Sequence, residues 1–370
     1  MLDKKLNKCI TFFIALSLMF ISCSPSQEDT TSEVLPDKSM PKFDIHTHYR
    51  YERDFLQPLL EEWNMKTMLV QVDLGDPAVS RQKWEDIKTH HAQYPDRFVI
   101  CAGFQAAGID EPDYADKMIT QIKQDLADGA IAVKVWKNFG MVSKDADSNY
   151  VQIDDERLQP IWDFLTKEKV PVLAHIGEPL QAFRPLVESE RNPHFNYFNE
   201  HPQYHAYQHP EIPRWETIMQ ARDNWLARNP ELVVIGAHTG SMSHDVAEIA
   251  KRLEQYPNFY VEPAARFGDL VRQESEKVRA FFIRYQDRIF YGTDLGTNQP
   301  AEGQSAEAQQ NQREYINKMI DIHWQYLSGA DSLYYDSPMI SFPISSHSLN
   351  LPDSVLRKIY WENASKLLGI

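Results

Sequence analysis

The chain is poor in cysteine and has fewer basic than acidic residues. It contains three cysteines in 370 residues, and 38 lysines and arginines stand against 53 aspartates and glutamates, giving a net charge of -15. The sequence also lacks a basic stripe. This argues against nucleic-acid binding, because phosphate neutralisation needs clustered Lys and Arg. Glycine and proline occur at ordinary levels and no fixed-period repeat is present, so collagen-like and low-complexity structures are excluded.

The remaining composition is that of a globular protein. With 42% hydrophobic and 12% aromatic residues, the chain can bury a large core. The length would allow two domains, but α/β barrels commonly exceed about 250 residues as one unit.

The N-terminal segment is predicted to be a targeting signal rather than part of the fold. Lysines precede an apolar run over residues 10–21, which is followed by Ser22 and Cys23. A basic start, a short apolar run and a small residue before the cut are typical of a secretory signal. The run is shorter than the ~20 residues of a membrane-spanning helix. Residues 20–23 resemble a bacterial lipobox; the alternatives are a plain secretory signal or an N-terminal anchor helix.

The lipobox predicts a signal peptide over residues 1–22, lipidation of Cys23 and a flexible polar tether over residues 23–40. The protein would then be attached by lipid to a membrane of the bacterial cell envelope. Cys9 leaves with the signal and Cys23 carries lipid, so Cys101 is the cysteine left over. No disulfide framework can then form within the mature chain.

From residue 41 onward, short β-rich apolar runs alternate with longer amphipathic stretches. Near-continuous apolar runs such as residues 232–235 favour strands buried on both faces, as in parallel sheets. Strands are predicted at residues 42–48, 67–73, 98–104, 130–137, 170–176, 232–238, 259–264 and 289–293. Helices are predicted near residues 53–63, 79–94, 113–128, 155–168, 214–229, 244–255, 268–285 and 308–327. Eight such units predict an α/β fold, a (β/α)₈ TIM barrel over residues 41–370; a doubly wound open sheet, the alternative, would not usually supply eight.

Two insertions interrupt the alternation. The first insertion, residues 178–212, follows the fifth strand, and the second insertion, residues 329–352, follows the eighth helix. Loops this long in a compact domain are usually functional or lid-like, and the first lies on the side where barrel active sites are built. His201, His205 and His209 suggest a metal-binding stripe, but prolines interrupt the spacing, which favours a polar aromatic lid.

Metal-ligating residue types stand at the ends of four predicted strands. His46 and His48 end the first strand, and because alternate strand residues share a face, both imidazoles point the same way, about 6.5–7 Å apart along the strand. His175, His238 and Asp294 end the fifth, sixth and eighth strands. A barrel brings these ends to one mouth. Four independent placements are hard to explain as ordinary buried core histidines.

This set, in its order and on its strands, resembles the amidohydrolase superfamily. Within it the chain resembles most the amidohydrolase-related group that includes aminocarboxymuconate-semialdehyde decarboxylase. Residues 359–369 are similar to the closing Asn-Ala…Leu-Leu-Gly helix of that group. The resemblance covers roughly residues 41–370, and its motifs are specific for the superfamily rather than for one reaction.

The resemblance implies roles for the strand-end residues. His46, His48 and His175 would bind a divalent metal. Asp294 would be the fourth ligand or the base, and His238 an acid/base or electrostatic group beside the metal. Such a site suits one Zn²⁺, or else Mn or Fe, with an open water position. The metal lowers the pKa of that water toward ~7, and because the imidazoles must be neutral, activity should fall in acid.

Lys134, in the fourth strand, has two interpretations. In binuclear members of the superfamily a carbamylated lysine at this strand bridges two metals, and His175 and His238 would then serve the second. Otherwise Lys134 binds substrate or pairs with a carboxylate such as Glu262, since an unpaired buried lysine is costly. One metal is favoured because the group resembled is typically mononuclear.

Three further residues are weaker candidates for substrate binding. Lys137 and Arg266 are candidates to clamp a substrate carboxylate, and Glu178 to orient substrate or a ligand. A surface-loop position for Glu178 and a salt bridge at a helix start for Arg266 are the alternatives.

Together these residues predict a metal-dependent hydrolase that uses metal-activated water on a C–N or C–O bond of a small polar substrate. Nonoxidative decarboxylation on the same fold is the first alternative, favoured if Arg266 or Lys137 clamps a substrate carboxylate near the metal. A non-catalytic, ligand-binding lipoprotein is the second. The substrate stays open because function depends on loops grafted onto the barrel. The oligomeric state, which includes a possible homo-oligomer, is also left open by the sequence.

Overall fold

Eight parallel strands form a barrel in the computed structural model, which describes residues 37–72, 75–297 and 299–370. The strands are β1 Lys42–His48, β2 Met65–Val70, β3 Phe98–Gly103, β4 Ala130–Val135, β5 Val172–Ala174, β6 Val234–Gly236, β7 Phe259–Val261 and β8 Leu295–Gly296. They pair in the order β7-β6-β5-β4-β3-β2-β1-β8. The predicted signal peptide, Cys23 and the tether up to residue 36 lie outside the described residues.

The segment just before β8 closes the ring. Ile289 bridges Val261 in parallel, and the carbonyl oxygen of Tyr291 accepts a hydrogen bond of 3.0 Å from the amide of Ile45. The strand predicted at 289–293 therefore lies between β7 and β1, although the regular ladder begins later. The predicted (β/α)₈ barrel is confirmed.

Helices connect the strands close to the predicted positions. The α-helices and α-helical turns are Leu56–Glu62, Pro77–Gln93, Tyr114–Ala127, Gln159–Glu168, Phe195–Glu200, Trp215–Arg228, Ala237–Gly240, Val246–Gln255, Phe267–Leu270, Ser275–Arg284, Ala306–Ser328, Asp353–Arg357 and Asn363–Leu368. Across the described ranges, none is long and apolar enough to cross a membrane.

The helical stretch predicted near 268–285 is divided in two, because the chain breaks between the helices Phe267–Leu270 and Ser275–Arg284. Gln273 lies in the break, where its side chain accepts from the amide of Val246 at 2.9 Å and donates to the carbonyl of Ser243 at 2.8 Å. These tertiary hydrogen bonds satisfy the start of a neighbouring helix and override the local helical preference.

The second insertion contains an antiparallel hairpin that was not predicted. Its strands are β9 Ser332–Tyr335 and β10 Ile344–His347. Polar residues and prolines dominate the segment, so its hydrophobic alternation is too weak to indicate strands.

The apolar core has two layers. One lies inside the barrel and includes Phe43 and Leu173, and the larger one lies between strands and helices and includes Leu69 and Trp162. Each side chain of this size contributes about 1.5–3 kcal/mol when fully buried.

An extra residue in β1 re-aims the histidines. Asp44 pairs with Thr67 but Thr47 pairs with Leu69, so β1 contains one more residue than β2 over this stretch. Ile45 packs inside the barrel, and beyond the bulge His46 and His48 also face inward and line a cavity. Bulges commonly re-aim side chains beside active sites in this way.

Candidate metal centre

His46 and His48 present the same ring nitrogen to one point. His46 Nδ1 lies 2.7 Å from Glu262 Oε1, and His48 Nδ1 lies 3.0 Å from the carbonyl oxygen of Val70. A carbonyl oxygen only accepts, so His48 Nδ1 carries the proton, and an ionised Glu262 imposes the same on His46. Each Nε2 then keeps its lone pair, which is how proteins orient metal-binding histidines.

Asp294 brings a carboxylate to these two nitrogens. Asp294 Oδ1 lies 3.0 Å from His48 Nε2 and 3.5 Å from His46 Nε2, and its side chain is 29% exposed. Burial would raise the pKa of Asp294, but the facing imidazoles of His46 and His48 outweigh it and hold that pKa well below its usual range. The backbone of Asp294 is left-handed, with φ +66°, a conformation that is uncommon for non-glycine residues and recurs at functional sites.

His175 and His238 complete the histidine cluster. Their ring centroids lie 4.2 Å apart, and those of His46 and His238 lie 5.0 Å apart. His238 Nδ1 donates to the carbonyl of Ala264 at 2.7 Å, which leaves its Nε2 with a lone pair. Like Asp294, His238 has a left-handed backbone, with φ +57°.

The arrangement fits a divalent cation. Donor atoms of His46, His48 and Asp294 lie within 4.8 Å of one another, as do those of His46, His238 and Glu262. His175 belongs to neither set, but its Nε2 is buried with no hydrogen-bond partner among the described residues. A buried polar atom left unpaired is costly and points to a missing partner. Imidazole nitrogens with one carboxylate suit a first-row metal; the individual ligand roles stay predictions.

The protonation states agree with metal binding. Burial is the main cause that holds the pKa values of His46, His175 and His238 well below the ordinary histidine value. The three rings are therefore neutral at physiological pH, as metal ligation requires.

Lys134 lies inside the same cluster. Its Nζ is 3.1 Å from His46 Nε2 and its side chain is buried. Burial lowers the pKa of Lys134 to about 8, against the opposing charges of Glu262 and Asp294. Lys134 forms no direct ion pair with Glu262 within 4 Å in the part of the chain described, because Glu262 is bound elsewhere. That suggested pairing is therefore wrong as a direct contact.

Glu262 has an organising role that the sequence did not reveal. Besides His46, it accepts from the amide of His238 at 3.2 Å and from that of Ala264 at 2.5 Å. Gly292 makes room for it, since a Cβ there would lie 2.7 Å from Glu262 Oε2. A Glu directly after a barrel strand is the available signal, but the sequence pattern suggests it as a partner for Lys134 alone.

Asp44 ties β1 to the segment before Asp294. It accepts from the amide of His46 at 3.0 Å, and from the amide and hydroxyl of Thr293 at 3.1 and 2.5 Å. Burial raises the pKa of Asp44 to about 8. Its position two residues before His46 could have indicated this role.

Lys137 and Arg266 converge on Glu178 in the cavity wall. Lys137 Nζ forms a close ion pair with Glu178 Oε1, and Arg266 Nη2 lies 3.7 Å from Glu178 Oε2. Lys137 Nζ also lies 3.7 Å from the ring centre of Tyr204. Glu178 is buried, so the surface position considered for it is wrong. Arg266 does form a salt bridge at a helix start.

A cavity of about 520 Å³ collects these groups. It is lined by all the candidate site residues of the barrel: His46, His48, Lys134, Lys137, His175, Glu178, His238, Arg266 and Asp294. Both insertions add to its wall, and they are joined there. The amide of Ser341 donates to the carbonyl of Pro193 at 2.9 Å, and the amide of Asn196 donates to Ser341 Oγ at 2.7 Å.

The histidine stripe of the first insertion binds backbone. His205 Nε2 lies 2.9 Å from the carbonyl of Arg184, and His209 Nε2 lies 3.1 Å from that of Pro202. Neither these two nor His201 lines the cavity. A structural role within the first insertion, rather than a metal stripe, agrees with this placement.

Comparisons with known proteins cover most of the chain. The family model described as amidohydrolase matches residues 45–370. No curated protein matches the chain.

Among solved structures, the chain is similar to 2,6-dihydroxybenzoate decarboxylase from Rhizobium, with 15% identity, 89% of this chain and 99% of that chain covered, and a TM-score of 0.51. It is also similar to an amidohydrolase II, with 16% identity, 89% and 100% coverage, and a TM-score of 0.50. At such identities the likeness supports the fold alone. The family match spans most of the chain, and this protein therefore belongs to the amidohydrolase family of enzymes.

Proposed function

We propose that the protein is a metal-dependent hydrolase that cleaves a C–N or C–O bond of a small polar substrate. His46, His48, His175 and Asp294 would hold one divalent cation, zinc or else manganese or iron. When bound, such a cation polarises a carbonyl group and acidifies water. The cavity of about 520 Å³ has the size of a small-molecule site.

Asp294 is the best-placed base. Its carboxylate meets two Nε2 atoms and is partly open to the cavity. Because its pKa is held well below the usual range, it is ionised at neutral pH and can accept a proton from water. His238, whose Nε2 keeps a lone pair, is the second group able to accept that proton or return it to the leaving group.

The observation that carries the proposal is that two cationic side chains pair with one carboxylate of the protein. Lys137 and Arg266 both engage Glu178. Decarboxylation would use such cations to clamp a substrate carboxylate, but here a carboxylate of the protein already occupies them. Asp294, in contrast, remains open for the base role that hydrolysis requires.

Nonoxidative decarboxylation is the second candidate, and one atom favours it. Arg266 Nε is buried without a hydrogen-bond partner in the described ranges. A substrate carboxylate would satisfy this atom with a charge-assisted hydrogen bond. No contact within residues 37–72, 75–297 and 299–370 favours the third reading, a non-catalytic ligand-binding lipoprotein.

The test offers the protein two sets of candidate substrates. One set consists of small amides and esters, and the other of the corresponding acids labelled with ¹³C at the carboxyl carbon. Zinc-loaded protein should release amine or alcohol, lose this activity to a chelator and regain it with zinc. Release of ¹³CO₂ without a hydrolytic product would replace hydrolysis by decarboxylation. Glu178→Gln adds a second measurement: freeing Lys137 and Arg266 should strengthen inhibition by benzoate, while the exposed Glu231→Gln should leave it unchanged.

We also propose that Cys23 is lipidated and attaches the protein to a membrane of the bacterial cell envelope. The support is the sequence pattern, since this segment lies outside the described residues. Labelled palmitate should enter the protein in a bacterial host and fail to enter Cys23→Ala. Equal labelling of both proteins would contradict the proposal.

A further inference from the structure

His194 and Asp269 form a buried pair in the cavity wall, outside the metal centre. His194 belongs to the first insertion, and Asp269 lies in the helical turn after β7. His194 Nε2 is 2.9 Å from Asp269 Oδ2, with side-chain exposures of 7% and 2%. His194 also lines the cavity. The pair therefore places a titratable ring where the substrate would bind.

Asp269 is held in place independently of His194. Ser243 Oγ donates to Asp269 Oδ2 at 2.6 Å, and Gln181 Nε2 donates to Oδ1 at 3.3 Å. His194, Ser243 and Gln181 thus surround the buried carboxylate of Asp269 with hydrogen-bond donors. Because an ionised carboxylate can only accept hydrogen bonds, Asp269 selects the tautomer of His194 that carries its proton on Nε2.

His194 Nδ1 is then an acceptor without a partner in the protein. It forms no hydrogen bond to any residue that the structure describes, and unlike His175 Nε2 it is not fully enclosed. A histidine that only clamped the insertion to the barrel would need Nε2 alone. A ring that lines the cavity and whose second nitrogen has no protein partner has the arrangement of a ligand-reading group.

We propose that His194 contacts the substrate through Nδ1 and accepts a hydrogen bond from an N–H or O–H group, with Asp269 as the positioning residue that fixes the tautomer. The inference rests on the proposed function to the extent that the cavity binds the substrate. It adds a chemical requirement, because a substrate must carry a hydrogen-bond donor. His194 lies on an insertion rather than at a strand end, and barrel enzymes vary their specificity through such loops.

Two variants separate the two ring nitrogens. His194→Gln keeps an amide N–H that can donate to Asp269 but removes the acceptor at Nδ1. Asp269→Asn keeps the size of the side chain, but its amide can donate to Nε2, which moves the ring proton to Nδ1 and turns the acceptor into a donor. The exposed His201→Gln, on the same insertion but outside the cavity lining, is the matched control.

The first readout is ¹⁵N NMR of the zinc-loaded protein labelled in histidine, with the His194 signals assigned by their loss in His194→Gln. We expect an unprotonated Nδ1 in the wild type and a protonated one in Asp269→Asn. Acetamide, which carries N–H donors, should shift the wild-type Nδ1 signal, and N,N-dimethylacetamide should not. A protonated wild-type Nδ1, or the same response to both probes, would overturn the proposal.

The second readout is kinetic, with 4-nitroacetanilide as the probe substrate. Loss of one neutral hydrogen bond should raise KM about 3- to 10-fold in His194→Gln, while zinc content, Tm and the His201→Gln control stay unchanged. A lower Tm with unchanged KM would indicate a structural clamp and overturn the proposal. If wild-type protein turns over no substrate, the proposed function fails, and the NMR result still decides the role of His194.

Discussion

His46 Nδ1 lies 2.7 Å from Glu262 Oε1, which joins the end of β1 to the residue that follows β7. The same carboxylate accepts from the backbone amide of His238. One buried side chain thus sets the tautomer of a candidate metal ligand and the position of a candidate acid/base. Its contribution can be measured by removing only its charge.

Glu262→Gln should weaken zinc binding about 10- to 100-fold, the usual effect of losing a carboxylate that orients a ligating histidine. The amide can donate to His46 Nδ1, which would move the ring proton to Nε2 and block it as a ligand. Zinc affinity is measured by competition with a chelator. The exposed Glu231→Gln is the control, and unchanged affinity in Glu262→Gln would contradict the assignment.

His175→Ala should abolish zinc uptake, because it removes the buried Nε2 that lacks a protein partner. Zinc content is read by elemental analysis of the purified variant, beside His201→Ala as a control for the loss of an exposed histidine. Full activity with full zinc content in His175→Ala would show that the ligand assignment is wrong.

Asp294→Asn should abolish turnover and largely keep the metal. The amide oxygen can still coordinate, but the amide cannot accept a proton as the carboxylate does. Turnover of the amide and ester panel and zinc content are measured on the same sample. Wild-type turnover would exclude Asp294 as the base.

Gly268→Ala should disturb the cavity wall without touching the metal centre. A Cβ there would overlap Ile340, which lines the cavity on the second insertion. We expect a higher KM with unchanged zinc content. Adding Ile340→Ala removes the overlapping atom and should restore KM toward the wild-type value; failure of this rescue would mean that the effect has another cause.

His323 should make stability depend on pH. Burial lowers its pKa to about 3, whereas an unfolded histidine titrates near pH ~6.5. Between these values the unfolded chain binds a proton that the folded protein does not, so stability falls as the pH falls through this window. One residue can change the free energy of unfolding by at most about 1.4 kcal/mol per pH unit.

His323→Gln should therefore flatten the dependence of the free energy of unfolding on pH below 6.5. Gln can still accept from the hydroxyl of Tyr291, which lies 3.3 Å from His323 Nδ1. Urea unfolding at several pH values gives the slopes. Identical slopes for the two proteins would contradict the assignment to His323.

The sequence sufficed for the features that follow from local pattern. Strand–helix alternation predicted the barrel, and strand-end residues predicted which side chains line its mouth, because parallel strands bring their ends together regardless of detail. The break at Gln273 and the hairpin of β9 and β10 escaped prediction, since both depend on tertiary hydrogen bonds and on packing that no local period reveals.

The same limit applied to the site. Glu262 and Asp269 act through contacts with residues 216 and 75 positions away, His46 and His194. Such pairings need the folded chain to become visible. Glu178 was suspected, but its burial between Lys137 and Arg266 depends on where the first insertion turns back over the barrel.

The extra residue in β1 changes which positions of the strand face the barrel interior. Up to Ile45 the inward side chains are apolar and fill the barrel. Beyond the bulge the inward side chains are the imidazoles of His46 and His48. Three inward-facing residues, Ile45, His46 and His48, therefore fall within four positions, where strict alternation would allow two. The apolar filling of the barrel and its polar mouth thus follow each other along one strand with no residue spent as a spacer.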